Sequence, residues 1–297
     1  MKKTQWHGLV LSVTVACTQP IAHAVESGSS PISAGPEGYL TAVAPPPGVY
    51  WLGYTVNYRS TRLNDGQGNK LLPTTELKLD AAVMRMHYAT AQPLLGGQLV
   101  WDVMVPYVDV GLNLNGSLTH KNGLGDVEWG PAVAYHHSPN LHSAVALHVQ
   151  LPTGAYDPNS VLNIGHNYTT LMPIYAVSYV NPTGMNGDIK ITGSRNTSNP
   201  DTHYRSGSEV VVDYALGYAV APKWVVGLGG YARQQFTDDR GDGVAADGNR
   251  ARAYALGPSF IYNNGQGFYV TAKYYVEHQV QNTWQGKALW LKATIPF

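Results

Sequence analysis

Side-chain character alternates with period two along most of this chain, which restricts it to extended strands. From Val127 to Tyr135 one parity carries Val127, Trp129, Pro131, Val133 and Tyr135, and the other carries Asp126, Glu128, Gly130, Ala132, Ala134 and His136. One apolar and one polar face over about ten residues is the pattern of a strand that crosses a membrane. Leu141 to Leu151, Val210 to Val220 and Phe268 to Val276 repeat it. Weaker segments begin near Val49, Glu76, Gly97, Tyr168, Asp188, Trp224 and Asn249, and a last one runs from Lys287 to Phe297. The pattern therefore predicts about twelve strands, an even number that suits an all-β, antiparallel up-and-down transmembrane barrel of the outer-membrane type.

What precedes the strands reads differently. Lys2 and Lys3, the apolar run Leu9 to Ala16 and the Ala22-His23-Ala24 cleavage pattern make residues 1–24 a secretory signal. Residues 25–48 are rich in Pro and Gly and are expected to act as a plug or a periplasmic strap, leaving 49–297 for the barrel. The only cysteine, Cys17, lies inside the signal, and Thr14 stands where lipid anchoring would need an aliphatic residue. A chain without mature cysteines must be held by packing or by a bilayer rather than by disulfides. After Ala24 no run approaches the ~18 to 20 apolar residues of a membrane helix.

Composition separates a barrel from a soluble sandwich, which also alternates. Only 13% of residues are charged while 44% are apolar and 20 are Tyr. That is too few charges for a sandwich's solvent face, and ring-rich enough for two interfacial girdles. Nineteen basic residues against nineteen acidic ones exclude the basic footprint of a nucleic-acid binder. The connections alternate in length. Short turns are expected at Gln92 to Gly96, Ser138 to Asn140, Asn181 to Gly187, Ala221-Pro222 and Asn263 to Gly265. Long polar loops are expected at Ser60 to Thr75, Leu112 to Gly123, Thr153 to Asn167, Gly193 to Arg205 and Thr237 to Gly248. Short turns face the periplasm and long loops the exterior. The expected location is the cell outer membrane, with the lipid bilayer as first partner. The last strand, which ends on an aromatic residue at Phe297, is expected to address the outer-membrane assembly machinery.

Several stretches resemble a known family. They are Gly35-Pro36-Glu37-Gly38-Tyr39-Leu40, Ala44-Pro45-Pro46-Pro47-Gly48 with Tyr50, Gly123-Leu124-Gly125-Asp126, and Leu151-Pro152-Thr153-Gly154 with Tyr156. Asn163, Gly165, Asn167, Tyr168 and Pro173 follow, then Thr202, Tyr204, Ser206, Gly207 and Glu209. Gly230-Tyr231, Gln234-Gln235, Thr237-Asp238-Asp239, Gly248-Asn249-Arg250 and Gly257-Pro258 complete the set. In order and spacing these resemble the outer-membrane protein family of the meta-pathway of phenol degradation. Thr169 departs from the pattern, which has a second aromatic there. The resemblance implies a barrel, linked to aromatic-compound degradation, that passes or binds small hydrophobic solutes.

Inward parity assigns Arg59, Glu76, Lys78, Asp80, Asp102, Asp126, Glu128, Lys190, Glu209, Asp213, Arg233, Lys273, Glu277 and Lys292 to the lumen. Mixed signs select neither cations nor anions, and opposite charges can instead pair across a narrow barrel. Since ~8 strands enclose a filled interior and ~16 an aqueous channel, twelve point to a narrow or occluded passage. Glu128, Glu209, Asp213, Arg233, Lys273 and Glu277 are the expected constriction, with Tyr156, Tyr168 and Tyr204 as loop aromatics on which solutes stack. A three-residue turn at Ser138 to Asn140 would set His136 opposite His142, ~5 Å apart, but two imidazoles do not complete a four-coordinate site. The acidic loop at Asp238 has Arg240 and Asn249 where a calcium loop needs ligands. No cofactor is expected. Ser143 falls on the lipid-facing parity and His142 and His148 on the other, and no Gly-x-Ser-x-Gly elbow is present, so the chain is not read as an enzyme. A channel or facilitator is the first functional reading, a sealed structural or surface-interaction barrel the second, and a membrane-embedded lipase the third.

Overall fold

The structure is a computed structural model that describes residues 29–242, 244 and 248–296. The expected signal with Cys17, and Phe297, lie outside the described residues. The described residues form strand segments and no helix, in the order β1 (Gly48–Leu63), β2 (Thr75–Leu94), β3 (Gly97–Leu114), β4 (Ser117–Leu124), β5 (Val127–His136), β6 (Leu141–Leu151) and β7 (Thr170–Tyr179). There follow β8 (Met185–Gly193), β9 (Arg195–Asn196), β10 (Glu209–Ala221), β11 (Trp224–Gln235), β12 (Arg252–Asn263), β13 (Tyr269–Gln281) and β14 (Trp284–Pro296). Pairing is antiparallel between neighbours along the chain, and β14 returns to β1, with Tyr50 opposite Pro296 and Leu63 opposite Trp284. Closure leaves the sheet without an edge.

β4 and β5 both pair with β3 and are two halves of one stave interrupted at Gly125 and Asp126. β8 and β9 both pair with β7 and make another, interrupted at Ser194. Fourteen segments thus build the expected twelve staves. One loop expectation fails. Leu112 to Gly123 is not a loop: β3 runs on to Leu114, turns over Asn115 and Gly116, and returns as β4. Both turn residues have positive φ, 50° and 94°, as a two-residue hairpin that matches strand twist requires.

Burial is reversed relative to a water-soluble domain. The inward side chains include Asp102, Glu209, Asp213, Lys273 and Lys292, all buried, while Trp101, Trp129, Leu147, Ile189, Leu216, Leu228 and Leu291 are exposed on the outside. An apolar wrapping of that extent around a charged interior is stable only against hydrocarbon.

The reversal does not extend along the whole of β1 to β3. Near the long-loop end Leu63, Val110, Leu112, Leu162 and Trp284 pack inside as an apolar core. The charges at that height point outward: Arg59 pairs with Asp80 at 2.7 Å and Lys78 with Glu76 at 3.0 Å, with all four side chains well exposed. Arg59, Glu76, Lys78 and Asp80 are therefore not lumen residues. Beyond the hydrocarbon the exterior meets water, and the inside-polar rule turns back to the ordinary one.

A candidate solute passage beside the N-terminal segment

Residues 29–47 lead into β1 and lie against inward side chains of the wall. Ser30 Oγ donates to Glu209. Gly35 N donates to Asp213 Oδ1 at 2.5 Å, and Lys273 Nζ donates to the carbonyls of Gly35 (2.8 Å), Pro36 and Glu37 (3.0 Å). The Glu37 carboxylate, 2% exposed, accepts Lys292 Nζ at 2.6 Å, Tyr54 OH at 3.2 Å and Arg85 Nη1 at 3.3 Å. Further on, Tyr39 OH meets Ser259 Oγ at 3.0 Å, Thr41 N donates to Asp188 at 3.0 Å and Ala42 N to Ser178 at 2.9 Å. Buried charge is tolerated when paired or hydrogen-bonded: Glu37 and Glu209 are ion-paired, and Asp213, Asp188 and Lys273 are held by hydrogen bonds to the segment. Gly35 has φ 95°, and a Cβ there would lie 3.0 Å from Trp290 Nε1, so any other residue would be strained and would crowd Trp290 and Tyr275 where the segment passes between them.

The segment leaves three contiguous cavities. The outermost, about 350 Å³, is walled by Leu77, Leu79 and Val83 of β2 and Val108, Val110 and Leu112 of β3, facing Tyr58, Tyr231, Trp284 and Trp290, with Arg233 and Glu277 at one side. It shares Ile32, Val83, Pro106 and Trp290 with a second cavity of about 100 Å³, which Glu37, Glu128, Gln150 and Lys190 border. Met104, Ile174 and Lys190 carry this into a third of about 60 Å³. There five small side chains, Ala132, Ala134, Ala144, Ala146 and Ala176, hold the wall back from the segment. Arg85, His87, Asp102 and His148 line the same space. Asp102 accepts a two-pronged bond from Arg85 (2.7 and 2.8 Å) and one from His87 (2.8 Å), while His148 Nδ1 meets Glu128 at 2.7 Å. The geometry offers an apolar basin at the long-loop end and a narrow, polar course toward the short turns.

The six expected constriction residues all sit inside, but they divide. Glu209, Asp213 and Lys273 hold the N-terminal segment, and Arg233 braces Glu209 at 2.6 Å. Glu128 and Glu277 border the cavities. Glu37, Arg85, His87 and His148 belong to the same network. Arg85 and His87 lie on the parity of β2 that the outward Lys78 and Asp80 had made seem lipid-facing, and only the extent of the inward run from Leu79 could have revealed them.

The loop aromatics behave otherwise. Tyr168 is 2% exposed and packs on His166 with ring centroids 5.4 Å apart, so it presents no stacking face. Tyr204 donates to Asp239, which also accepts from Gly207 N and Gln235 Nε2, both at 2.7 Å. Tyr156 is half-buried. Burial pushes the Asp239 carboxyl up to about 6 despite the hydrogen bonds it accepts, the Tyr204 one foremost.

His136 does lie opposite His142, Nδ1 to Nδ1 at 2.7 Å, and no group of three metal-ligating side chains occurs among the described residues. Ser143 has a neighbour that strand parity concealed: His137, from the turn, brings Nε2 to 2.7 Å of its hydroxyl. No acid orients that imidazole among the described contacts, so the pair lacks the third member of a nucleophilic site.

Known structures share this architecture. An outer membrane channel from Pseudomonas putida F1 superposes with a TM-score of 0.77 at 16% identity, covering 86% of this chain and 98% of that one. The translocator domain of the autotransporter NalP from Neisseria meningitidis gives 0.50 at 9% identity, covering 86% and 91%. At such identities the likeness is one of fold. No curated protein sequence matches. A family model matches residues 60–293, which is nearly all of the barrel and most of the chain, and on that match the chain belongs to the family described as "Putative MetA-pathway of phenol degradation".

Proposed function

We propose that this protein is an outer-membrane facilitator for small hydrophobic or aromatic solutes, which enter the aliphatic outer cavity and descend beside the N-terminal segment. The observation that carries this reading is the outer basin of about 350 Å³ continued by two smaller cavities through a barrel whose exterior suits only lipid. Its relatives support it: the family is named for phenol degradation, and the Pseudomonas protein of similar fold is called an outer membrane channel. Residues 25–48 act as the plug, with Glu209, Asp213 and Lys273 as its seat and Glu128, Arg233 and Glu277 along the passage. The last strand, β14, with the aromatic Phe297 following it in sequence, addresses the assembly machinery.

The test compares the full chain with a form lacking residues 25–48, in planar bilayers and in vesicles loaded for uptake of toluene. The full chain is expected to conduct weakly and to admit toluene, and the truncated form to conduct several-fold more. If both are electrically silent and neither admits solute, the channel reading fails. The density of hydrogen bonds on Glu37 and Lys273 favours the second reading, a sealed barrel, which predicts that silence.

A further inference from the structure

The outer cavity has a polar pole that the protein leaves incomplete. Arg233 lines it and is 7% exposed. Its Nε donates to Glu209 at 2.6 Å, but its Nη2 is buried without a hydrogen-bond partner. Buried polar groups are nearly always satisfied, so an unpaired guanidinium N–H beside an open cavity calls for an acceptor from outside. The neighbouring carboxylate has no such need: Glu277 accepts from Tyr58 OH at 2.8 Å, from Gly286 N at 2.5 Å and from Tyr231 OH. The opposite wall is aliphatic, from Leu77, Leu79, Val108 and Val110. A dry cavity of roughly 150 Å³ holds benzene, so about 350 Å³ takes a single-ring solute with a short substituent.

Charge decides which substituent. Glu209 and Glu277 both act on Arg233, two carboxylates against one guanidinium, and Asp126 borders the same cavity with His166 beside it at 2.9 Å. An ionised solute would add another negative charge in a desolvated space, whereas a neutral oxygen accepts the Nη2 hydrogen without that repulsion. We infer that the outer cavity recognises uncharged apolar solutes bearing one hydroxyl or carbonyl oxygen, with Arg233 as the donor, and that Glu209 and Glu277 reject the matching carboxylates.

This specificity rests on the channel reading, and its test separates the two. Toluene, benzyl alcohol and ionised benzoate share a ring and differ only in the group offered to Arg233. Their binding is measured by isothermal titration on the full chain in lipid nanodiscs, and their uptake separately in vesicles. Benzyl alcohol is expected to bind roughly tenfold more tightly than toluene, as one added hydrogen bond warrants, and benzoate more weakly than either. R233M should abolish the preference for the alcohol. E277Q should narrow the gap between alcohol and benzoate while leaving Arg233 in place, which covers the case in which R233M fails to fold. If the unaltered chain binds benzoate as tightly as benzyl alcohol, or if R233M retains the preference, the inference is overturned while the channel reading stands. If the chain shows the binding preference but admits none of the three solutes to vesicles, the channel reading falls alone.

Discussion

Glu37 is the residue around which the interior is organised. Its carboxylate is buried in the lumen and answered by Lys292, Arg85 and Tyr54 from three staves, so the N-terminal segment is seated by charge as well as by the apolar contacts of Ile32 and Tyr39. Removing one partner of such a pair leaves a buried charge exposed to low dielectric, which costs about 3–5 kcal/mol, whereas removing both is often nearly neutral. Lys292→Met should therefore lower stability by an amount toward the lower end of that range, because Arg85 remains. Adding Glu37→Gln should recover most of the loss. Urea titration of the protein folded into vesicles checks both, and a double variant no more stable than Lys292→Met would contradict this assignment. Neither partner was recognisable as such beforehand. Lys292 could be placed inside by parity, but Glu37 sits in a Pro/Gly-rich stretch with no period to read, and nothing local says that residues 255 positions apart will meet.

Among the elements, the strands β1 to β3 show how a parity rule can mislead. The rule holds where hydrocarbon lies outside; these strands run past it, and there Leu77, Leu79, Val108 and Val110 turn inward while Lys78, Asp80 and Asp109 turn out. Charge on a strand marks the lumen only within the apolar belt, and the belt's edge is not written in the alternation itself. Asn115-Gly116 was a legible signal for the hairpin, since both residues tolerate positive φ. The loops at the same end are tied by Asp239, which joins the loop after β11 to Tyr204 and Gly207 of the loop before β10. Because the folded state raises this carboxyl from 3.8 to about 6, the folded form holds a proton that the unfolded form has already lost between those values. The stability it contributes is fully present below about 3.8 and is lost as pH rises through about 6. Limited proteolysis of the loop should accordingly be slower at pH 5 than at pH 7.5, after correction for protease activity, and Asp239→Asn should flatten that dependence. An opposite slope would refute the sign.

For the molecule as a whole, the twelve staves and their apolar wrapping say where charge can be added. Leu228 is 57% exposed on β11, four residues from Trp224 at the short-turn end, or about 10–14 Å along the strand. That places it near the bilayer midplane, where arginine on the lipid face costs about 2–4 kcal/mol. Leu228→Arg should show that loss in urea titration, and Thr61→Arg, outward on β1 beside the charges of the upper zone, should be close to neutral. Equal penalties at the two sites would mean that the belt has been misplaced. The barrel, its strand count and most of its short turns were legible in the sequence because period two and turn chemistry are local properties that each strand carries alone. The interior was legible only in part: parity pointed Glu128, Glu209, Asp213, Arg233, Lys273 and Glu277 inward, but which of them seats the N-terminal segment and which borders a cavity could not be read from it. Local alternation decides which way a side chain faces; whether it meets a partner, a neighbouring segment or empty space depends on closing β14 onto β1 and threading residues 29–47 within, and those are contacts between distant parts of the chain that only the folded molecule brings together.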